Sequence, residues 1–206
     1  MDGESKIEMK TIVYTQRVEV VENYNERRDC ADQNIPRFLQ ECGYLAIPLP
    51  NVAQDLEEII NQLNPEGIVL TGGNSLVKYG GNAPERDETD HKLIEIAIEK
   101  NIPLYGFCRG MQSVLDYFEC SLKNVKNHVA VRHHVYGEWG TFEVNSYHNQ
   151  ACMEIKPPLK IMSQTDDGVI EAAVSSEHRI VITMWHPERE NPFFEKDIIR
   201  IKNLFG

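Results

Sequence analysis

Short apolar runs alternate with amphipathic stretches through the first half of the chain. The runs predict β-strands at residues 9–15, 45–48, 67–70 and 102–107. Apolar positions at helical spacing between and after these runs predict helices at residues 28–42, 52–63, 85–100 and 110–118. This β-α-β-α order predicts an α/β fold with a parallel central sheet and helices on both faces.

The second half of the chain has more strand-like patterns. Strands are predicted at residues 129–131, 141–144, 161–165, 169–174 and 180–184, and a closing helix at 191–205. Repeats, low-complexity segments and linkers are not evident in the sequence. We therefore expect one domain over residues 9–206, preceded by a flexible polar tail at 1–8.

The most informative segment carries a cysteine between two glycines. The apolar strand at 102–107 leads directly into Gly106-Phe107-Cys108-Arg109-Gly110, and a helical stretch follows. This is the thiol counterpart of the nucleophile elbow, in which a tight strand-to-helix turn exposes the nucleophile. A free cysteine is often simply a core residue. The flanking glycines, strand and helix favour Cys108 as a nucleophile instead.

A histidine and a carboxylate follow the last predicted strand. His186 and Glu188 stand two residues apart in Met184-Trp185-His186-Pro187-Glu188. A base and an orienting group complete the pattern of a catalytic triad. Alone, His-Pro-Glu would indicate a surface turn, but together with the elbow it predicts a triad of Cys108, His186 and Glu188.

The Gly72-Gly73 pair ends another predicted strand. Backbone N–H groups of Gly73 and Arg109 are candidate donors to an oxyanion formed when the thiolate attacks a carbonyl. Taken alone, a Gly-Gly pair after a strand would indicate only a turn.

Composition narrows the possible partners and location. The chain has 21 basic and 32 acidic residues, a net charge of −11, which argues against nucleic-acid binding. The N-terminus lacks the apolar core of a signal peptide, and no stretch has the ~18 apolar residues of a membrane span. The five cysteines are an odd number with no Cys-x-x-Cys pair, so we expect a reducing, cytoplasmic location.

Four histidines fall within a short span: His128, His133, His134 and His148. Adjacent residues on a strand point to opposite faces, so His133 and His134 would rarely share one ion. A His-x-x-x-His spacing is missing as well. The sequence therefore predicts solvated or hydrogen-bonded histidines and no metal site.

The three motifs, in this order, resemble the class I glutamine amidotransferases, and more narrowly the free-standing γ-glutamyl hydrolases among them. The resemblance implies a flavodoxin-like fold with Cys108, His186 and Glu188 as the triad. It implies attack on a γ-glutamyl amide, release of the amine and hydrolysis of a glutamyl thioester, with no cofactor.

Further segments match the same family. Gln112 resembles the glutamine that contacts the glutamyl end of the substrate. Residues 145–150 look like the Asn-Ser-x-His-x-Gln segment that lines the pocket, which implies that Ser146, Tyr147 and His148 bind substrate. Residues 167–172 are similar to the Asp-Gly-x-x-Glu-Ala strand. There the residue pattern indicates only a turn and a strand, with Glu171 facing solvent or a loop.

The segments at 15–17, 23–29, 85–87 and 184–191 resemble the γ-glutamyl-CDP-amidate hydrolases of capsule phosphoramidate synthesis. That substrate is anionic, and arginines near the site suit a pyrophosphate. The candidates are Arg17, Arg27, Arg28, Arg86 and Arg189. The alternative is that some of them form surface ion pairs with neighbouring acidic residues. The family often has Gly-Gly-Asn-Asp where this chain has Ser75 after Asn74.

Other interpretations stay open at this stage. The enzyme could act on other γ-glutamyl amines or peptides, or serve as a glutaminase subunit that feeds ammonia to a partner synthetase. A catalytically silent binding protein is disfavoured because it would not need all three triad residues. A homodimer also remains open.

Overall fold

The computed structural model describes residues 9–206, so the tail expected at 1–8 lies outside the described residues. The strands are β1 (Thr11–Tyr14), β2 (Arg17–Val21), β3 (Glu26–Cys30), β4 (Leu45–Pro48), β5 (Gly67–Leu70), β6 (Leu104–Phe107), β7 (Lys123–Asn124), β8 (Val129–Val135), β9 (Phe142–Tyr147), β10 (Gln150–Ala151), β11 (Leu159–Gln164), β12 (Ile170–Ser175) and β13 (Ile180–Thr183). The helices are α1 (Asn34–Glu41), α2 (Leu56–Leu63), α3 (Pro84–Lys100), α4 (Arg109–Tyr117) and α5 (Glu195–Phe205).

A seven-stranded sheet forms the centre of the fold, in the order β11-β12-β13-β6-β5-β1-β4. The five strands from β13 to β4 are parallel, and β12 and β11 continue the sheet antiparallel. Strands β5, β6 and β13 are neighbours, so their carboxyl ends meet at one edge of the sheet. In open α/β sheets this edge is where ligands bind.

Helices cover both faces of the sheet, as predicted. Successive side chains of a strand point to opposite faces. Val69 and Tyr105 accordingly pack with α1 and α5 on one face, whereas Ile68 and Leu104 join the larger core with α2, α3 and α4 on the other. Strands buried on both faces must be apolar throughout, which explains the continuous apolar runs of β5 and β6.

Residues 17–30 contradict the sequence expectation. The start predicted for the first helix, residue 28, is wrong, because residues 28–30 lie in an antiparallel β2–β3 hairpin. The hairpin is hard to recognise since Val18 is its one buried residue. Its turn is made by Asn25 in a left-handed conformation, with φ of 49°. Helix α1 starts later, where the Asp32 carboxylate accepts a hydrogen bond from the Asn34 N–H at 2.9 Å.

The second half differs from expectation mainly in the lengths of its elements. Strands β8 and β9 are longer than predicted and form a separate hairpin. Helices α2 and α5 begin later than predicted, at Leu56 and Glu195. Within residues 9–206, no helix combines the length and apolar character needed to cross a membrane.

Candidate active site

Cys108 lies at the turn between β6 and α4. Its backbone has φ of 51° and ψ of −109°, a strained conformation for a residue with a side chain. Gly110 is required here, because a Cβ on it would lie 2.0 Å from the carbonyl oxygen of Leu70. The Cys108 N–H donates to the carbonyl of Thr183 on β13 at 2.9 Å. The turn is therefore fixed against both neighbouring strands.

His186 and Glu188 face Cys108 from the end of β13. The Nδ1 atom of His186 lies 2.6 Å from Oε1 of Glu188, and both residues are buried. The imidazole packs between the ring of Phe107, at 5.6 Å between centroids, and the ring of Tyr147, at 5.7 Å. The carboxylate and the two rings leave the imidazole little freedom to rotate.

The charge state of His186 is set by its neighbours. Burial lowers the pKa of His186, but the negative charges of Cys108 and Glu188 outweigh it and raise that pKa to about 10. The imidazole is then a cation at neutral pH, beside Cys108 at the N-terminus of α4. The helix dipole favours negative charge at that position. These surroundings suit a cysteine that reacts as a nucleophile.

The turn after β5 lies directly against Cys108 and His186. A Cβ on Gly72 would be 2.7 Å from Cε1 of His186 and 3.5 Å from Cβ of Cys108. Gly73 has φ of 94°, a conformation that glycine adopts readily. Arg109 begins α4, so its N–H belongs to the first turn, where N–H groups lack a partner within the helix. The residues that carry the two predicted oxyanion donors, Gly73 and Arg109, both line the cleft that contains Cys108.

A buried arginine supports the turn after β5. Arg86 on α3 is fully buried and donates to the Thr71 carbonyl at 2.7 Å and to the Gly73 carbonyl at 3.2 Å. Burial lowers the pKa of Arg86 to about 9, while the charge of Cys108 acts in the opposite direction. Arg86 was expected to face an anionic leaving group. The structure instead buries it behind the Gly72-Gly73 turn.

The side chain of Arg109 points away from the thiol. It is buried and pairs with Asp87 and Asp90, and it also donates to Oγ of Ser113 at 2.9 Å. These contacts attach the first turn of α4 to α3. Only the backbone of Arg109 remains oriented towards the reacting centre.

A cleft of about 410 Å³ opens beside Cys108. Its lining includes Gly73, Cys108, Arg109, Gln112, Tyr147, His148, His186 and Arg189. Gln112 is held by a hydrogen bond from Nε2 to the carbonyl of Gln150 at 2.9 Å. Ser146 is the exception among the predicted pocket residues: it is fully buried, and its hydroxyl donates to the carbonyl of His128 at 2.8 Å.

The remaining predicted arginines lie in different places. Arg17 lines a small cavity of about 50 Å³ on the other side of Gly73, and Arg189 lines both this cavity and the cleft. Arg27 pairs with Glu85, and Arg28 pairs with Glu26. Neither of these two lines the cleft or the small cavity, in agreement with the surface-pair alternative.

Asn145 contacts the predicted base, His186, and the sequence did not reveal this contact. Its amide accepts a hydrogen bond from the His186 N–H at 2.9 Å and donates to the His186 carbonyl at 2.8 Å. This pair of bonds fixes the backbone that carries the base. The motif at 145–150 drew attention to the residues that follow Asn145, but only the fold brings Asn145 against His186.

Comparison with known proteins identifies the family of this chain. A family model described as glutamine amidotransferase class-I matches residues 26–202. The chain belongs to the class I glutamine amidotransferase family. This agrees with the resemblance found in the sequence and with the α/β fold.

Relatives within the family include several hydrolases. The chain is 32% identical to the γ-glutamyl-CDP-amidate hydrolase of Campylobacter jejuni, over 86% of this chain and 89% of that protein. It is 30% identical to the γ-glutamyl-γ-aminobutyrate hydrolase of Escherichia coli O157:H7, over 71% and 73%. A crystal structure of a putative GMP synthase subunit from Thermoplasma acidophilum has the same fold, with a TM-score of 0.72 at 19% identity, covering 97% and 94% of the chains.

The role of Glu188 leads to a prediction about pH. The Glu188 charge raises the pKa of His186, so Glu188→Gln should lower that pKa below about 10. If the imidazolium protonates the leaving amine, kcat/KM falls as pH rises through this pKa. The alkaline limb of the kcat/KM profile of Glu188→Gln should therefore move to lower pH. Its kcat should fall roughly 10²–10⁴-fold.

The measurement is the full pH profile of kcat/KM for wild type and variant. On the acid side both should lose activity as the pair of Cys108 and His186 takes up a proton. Glu143→Gln is the control, since Glu143 is exposed and pairs with Arg132 away from Cys108. Superimposable alkaline limbs for Glu188→Gln and wild type would rule out this role for Glu188.

Proposed function

We propose that this protein is a cysteine-dependent hydrolase that cleaves a γ-glutamyl amide and releases glutamate. The observation that carries the proposal is the placement of Cys108 at the N-terminus of α4, beside His186 and in the lining of the cleft. The hydrolase names of the relatives point to the same reaction class. A small γ-glutamyl compound is the substrate, and no nucleic acid or membrane takes part.

The reaction proceeds in two halves. The Cys108 thiolate attacks the amide carbonyl, and the N–H groups of Gly73 and Arg109 stabilise the oxyanion that forms. The His186 imidazolium gives its proton to the departing amine, and a glutamyl thioester remains on Cys108. The neutral imidazole then takes a proton from water, whose oxygen attacks the thioester. Glutamate leaves and the thiolate is restored.

The glutamyl half of the substrate occupies the inner part of the cleft. Gln112 and His148 line this part beside Cys108. Gln112 is fixed by its bond to the carbonyl of Gln150, so its position is set before substrate binds. Gln112 serves the half of the substrate that all γ-glutamyl hydrolases share, and His148 forms part of the wall beside it.

We further propose γ-glutamyl-CDP-amidate as the substrate, giving cytidine diphosphoramidate for capsule synthesis. Arg189 lies at the mouth of the cleft with its guanidinium 4.4 Å from the centre of the half-exposed Tyr147 ring. A cation stacked beside an aromatic face suits a diphosphate joined to a base. Arg17 adds a second positive charge beyond Gly73. Its pair with Glu19 is exposed and therefore weak.

The test measures glutamate release from γ-glutamyl-CDP-amidate, γ-glutamyl-γ-aminobutyrate and glutamine. We expect wild type to prefer the nucleotide amidate. Arg189→Gln should raise KM for that substrate about 5- to 100-fold, as expected for one lost charge-assisted contact, and leave KM for the simple amine unchanged.

The comparison between substrates separates binding from catalysis. Arg189 lies 3.7 Å from the Glu188 carboxylate, so its loss could slow every substrate through the triad. Such an effect would lower kcat for all three substrates equally. A preference for γ-glutamyl amines, or an equal rise in KM for all, would overturn the nucleotide assignment and keep the hydrolase. Release from glutamine alone would favour a glutaminase.

A homodimer and a cytoplasmic location stay predictions.

A further inference from the structure

Three histidines converge on one buried carboxylate next to the cleft. Glu171 on β12 is fully buried, which corrects the expectation that it faces solvent or a loop. Its Oε1 atom lies 3.2 Å from Nε2 of His148, 3.4 Å from Nε2 of His133 and 3.7 Å from Nδ1 of His128. The four residues come from three segments of the chain, around β8, at the end of β9 and on β12, so their convergence is a product of the fold.

Hydrogen bonds do not account for this cluster. Of the three contacts with Oε1, only that of His148 has hydrogen-bond geometry. Among the residues the structure describes, Nδ1 of His128, Nε2 of His133, Nδ1 of His148 and Oε2 of Glu171 are buried without a hydrogen-bond partner. Buried polar atoms almost always have partners, and two of these four, Nδ1 of His128 and Nε2 of His133, face Oε1 of Glu171 and call for an explanation.

We propose that His128, His148 and Glu171 bind a zinc ion, with His133 as the fourth ligand. The ligand atoms of the first three lie within 4.8 Å of one another. Bonds of about 2.0–2.2 Å in a tetrahedral site hold ligand atoms about 3.4 Å apart. The three nitrogens already lie at about that distance from Oε1, and small ring rotations would bring them around one ion.

The donor set and its surroundings suit zinc. Three imidazole nitrogens and one carboxylate oxygen are ligands that Zn²⁺ accepts, and four protein ligands make a closed, structural site. Asp167 accepts a hydrogen bond from Nε2 of His128 at 3.0 Å. This bond leaves the lone pair of Nδ1 directed towards Glu171. A carboxylate that orients a histidine in this way is the usual outer partner of a zinc ligand.

The zinc ion would fix one wall of the cleft without touching Cys108. The carbonyl of His128 accepts hydrogen bonds from the Ser146 hydroxyl and from the His148 N–H. The carbonyl of Glu171 accepts a hydrogen bond from the N–H of Met184, two residues before His186. The ion would therefore join β12 to the segment that lines the cleft.

The test uses metal-free protein carrying Cys108→Ala, so that the reactive thiol cannot bind the ion. Zn²⁺ is titrated in competition with a chromophoric chelator, and Co²⁺ is added separately as a spectroscopic probe. We expect one equivalent of Zn²⁺ per chain and the visible absorption of tetrahedral Co²⁺. In the same background, His128→Gln and Glu171→Gln should each weaken Zn²⁺ binding at least about 100-fold, and Asp167→Asn about tenfold.

His134→Gln is the matched control, because His134 is an exposed histidine on the same strand as His133. It should bind Zn²⁺ as the Cys108→Ala protein does. Failure of the Cys108→Ala protein to bind one equivalent would overturn the proposal, whether or not the cluster variants fold. So would equal affinities for His128→Gln and His134→Gln. Neither result bears on hydrolysis by Cys108.

Discussion

Replacing Cys108 with alanine is expected to abolish glutamate release, with kcat falling at least about 10⁴-fold. The substitution removes the sulfur that attacks the amide and forms the thioester. What remains is substrate binding and the oxyanion donors, which on their own give little rate. The measurement is glutamate release under saturating γ-glutamyl substrate.

The variant should keep its fold. Alanine and cysteine have the same backbone preferences, so the conformation with φ of 51° is no more strained than before. The Cys108 N–H still donates to the Thr183 carbonyl. Thermal unfolding should therefore give a cooperative transition close to that of wild type, which separates loss of chemistry from loss of structure.

Cys42→Ala is the matched control. Cys42 is also buried, but burial raises the pKa of its thiol to about 12, so it stays protonated and unreactive. The control should keep the kcat of wild type. Mass spectrometry of wild type quenched during turnover should detect a glutamyl adduct on Cys108. Appreciable turnover by Cys108→Ala, or an adduct on another residue, would exclude Cys108 as the nucleophile.

Patterns local in the sequence predicted the elements that carry the triad. Strand β6 was recognisable because it is buried on both faces and ends in a glycine-flanked cysteine. The parallel order then implied that Cys108, Gly73 and His186 follow strands ending at one edge. Only the structure shows that β6 lies directly between β5 and β13 in the sheet.

Residues whose role depends on distant partners could not be predicted. Glu171 looked like a solvent-facing strand residue, since the histidines around it lie 23 or more positions away along the chain. Asn145 and Arg86 are hidden for the same reason, because their partners lie in the segments that follow β13 and β5. The β2–β3 hairpin was missed because it buries little apolar surface. Its strands therefore lack the alternation of apolar and polar residues by which a strand is recognised in a sequence.

Among the residues whose partners the sequence could not reveal, we expect Arg86 to matter most for catalysis. Arg86→Met should lower kcat about 10²–10³-fold with KM little changed. The guanidinium donates to the carbonyls of Thr71 and Gly73 and so holds the turn that presents the Gly73 N–H. Methionine fills similar space but donates nothing. The loss falls on kcat because the oxyanion exists only after attack.

A purely structural role for Arg86 can be separated from an electrostatic one. The charge of Cys108 acts to raise the pKa of Arg86, and by reciprocity the guanidinium stabilises the thiolate. In Arg86→Met the acid limb of kcat/KM should therefore move to higher pH. Arg86→Lys keeps the charge but cannot bond both carbonyls, so its acid limb should stay near that of wild type while kcat remains low.

Arg179→Met provides the comparison for these two variants. Arg179 is exposed and also donates to a backbone carbonyl, that of Leu204 at 2.7 Å, on a part of the surface that does not line the cleft. It should keep the kcat and the pH profile of wild type. Wild-type kcat and an unmoved acid limb in Arg86→Met would mean that the Gly72-Gly73 turn holds its shape without the arginine. The thiolate would then depend on His186 and the α4 N-terminus alone.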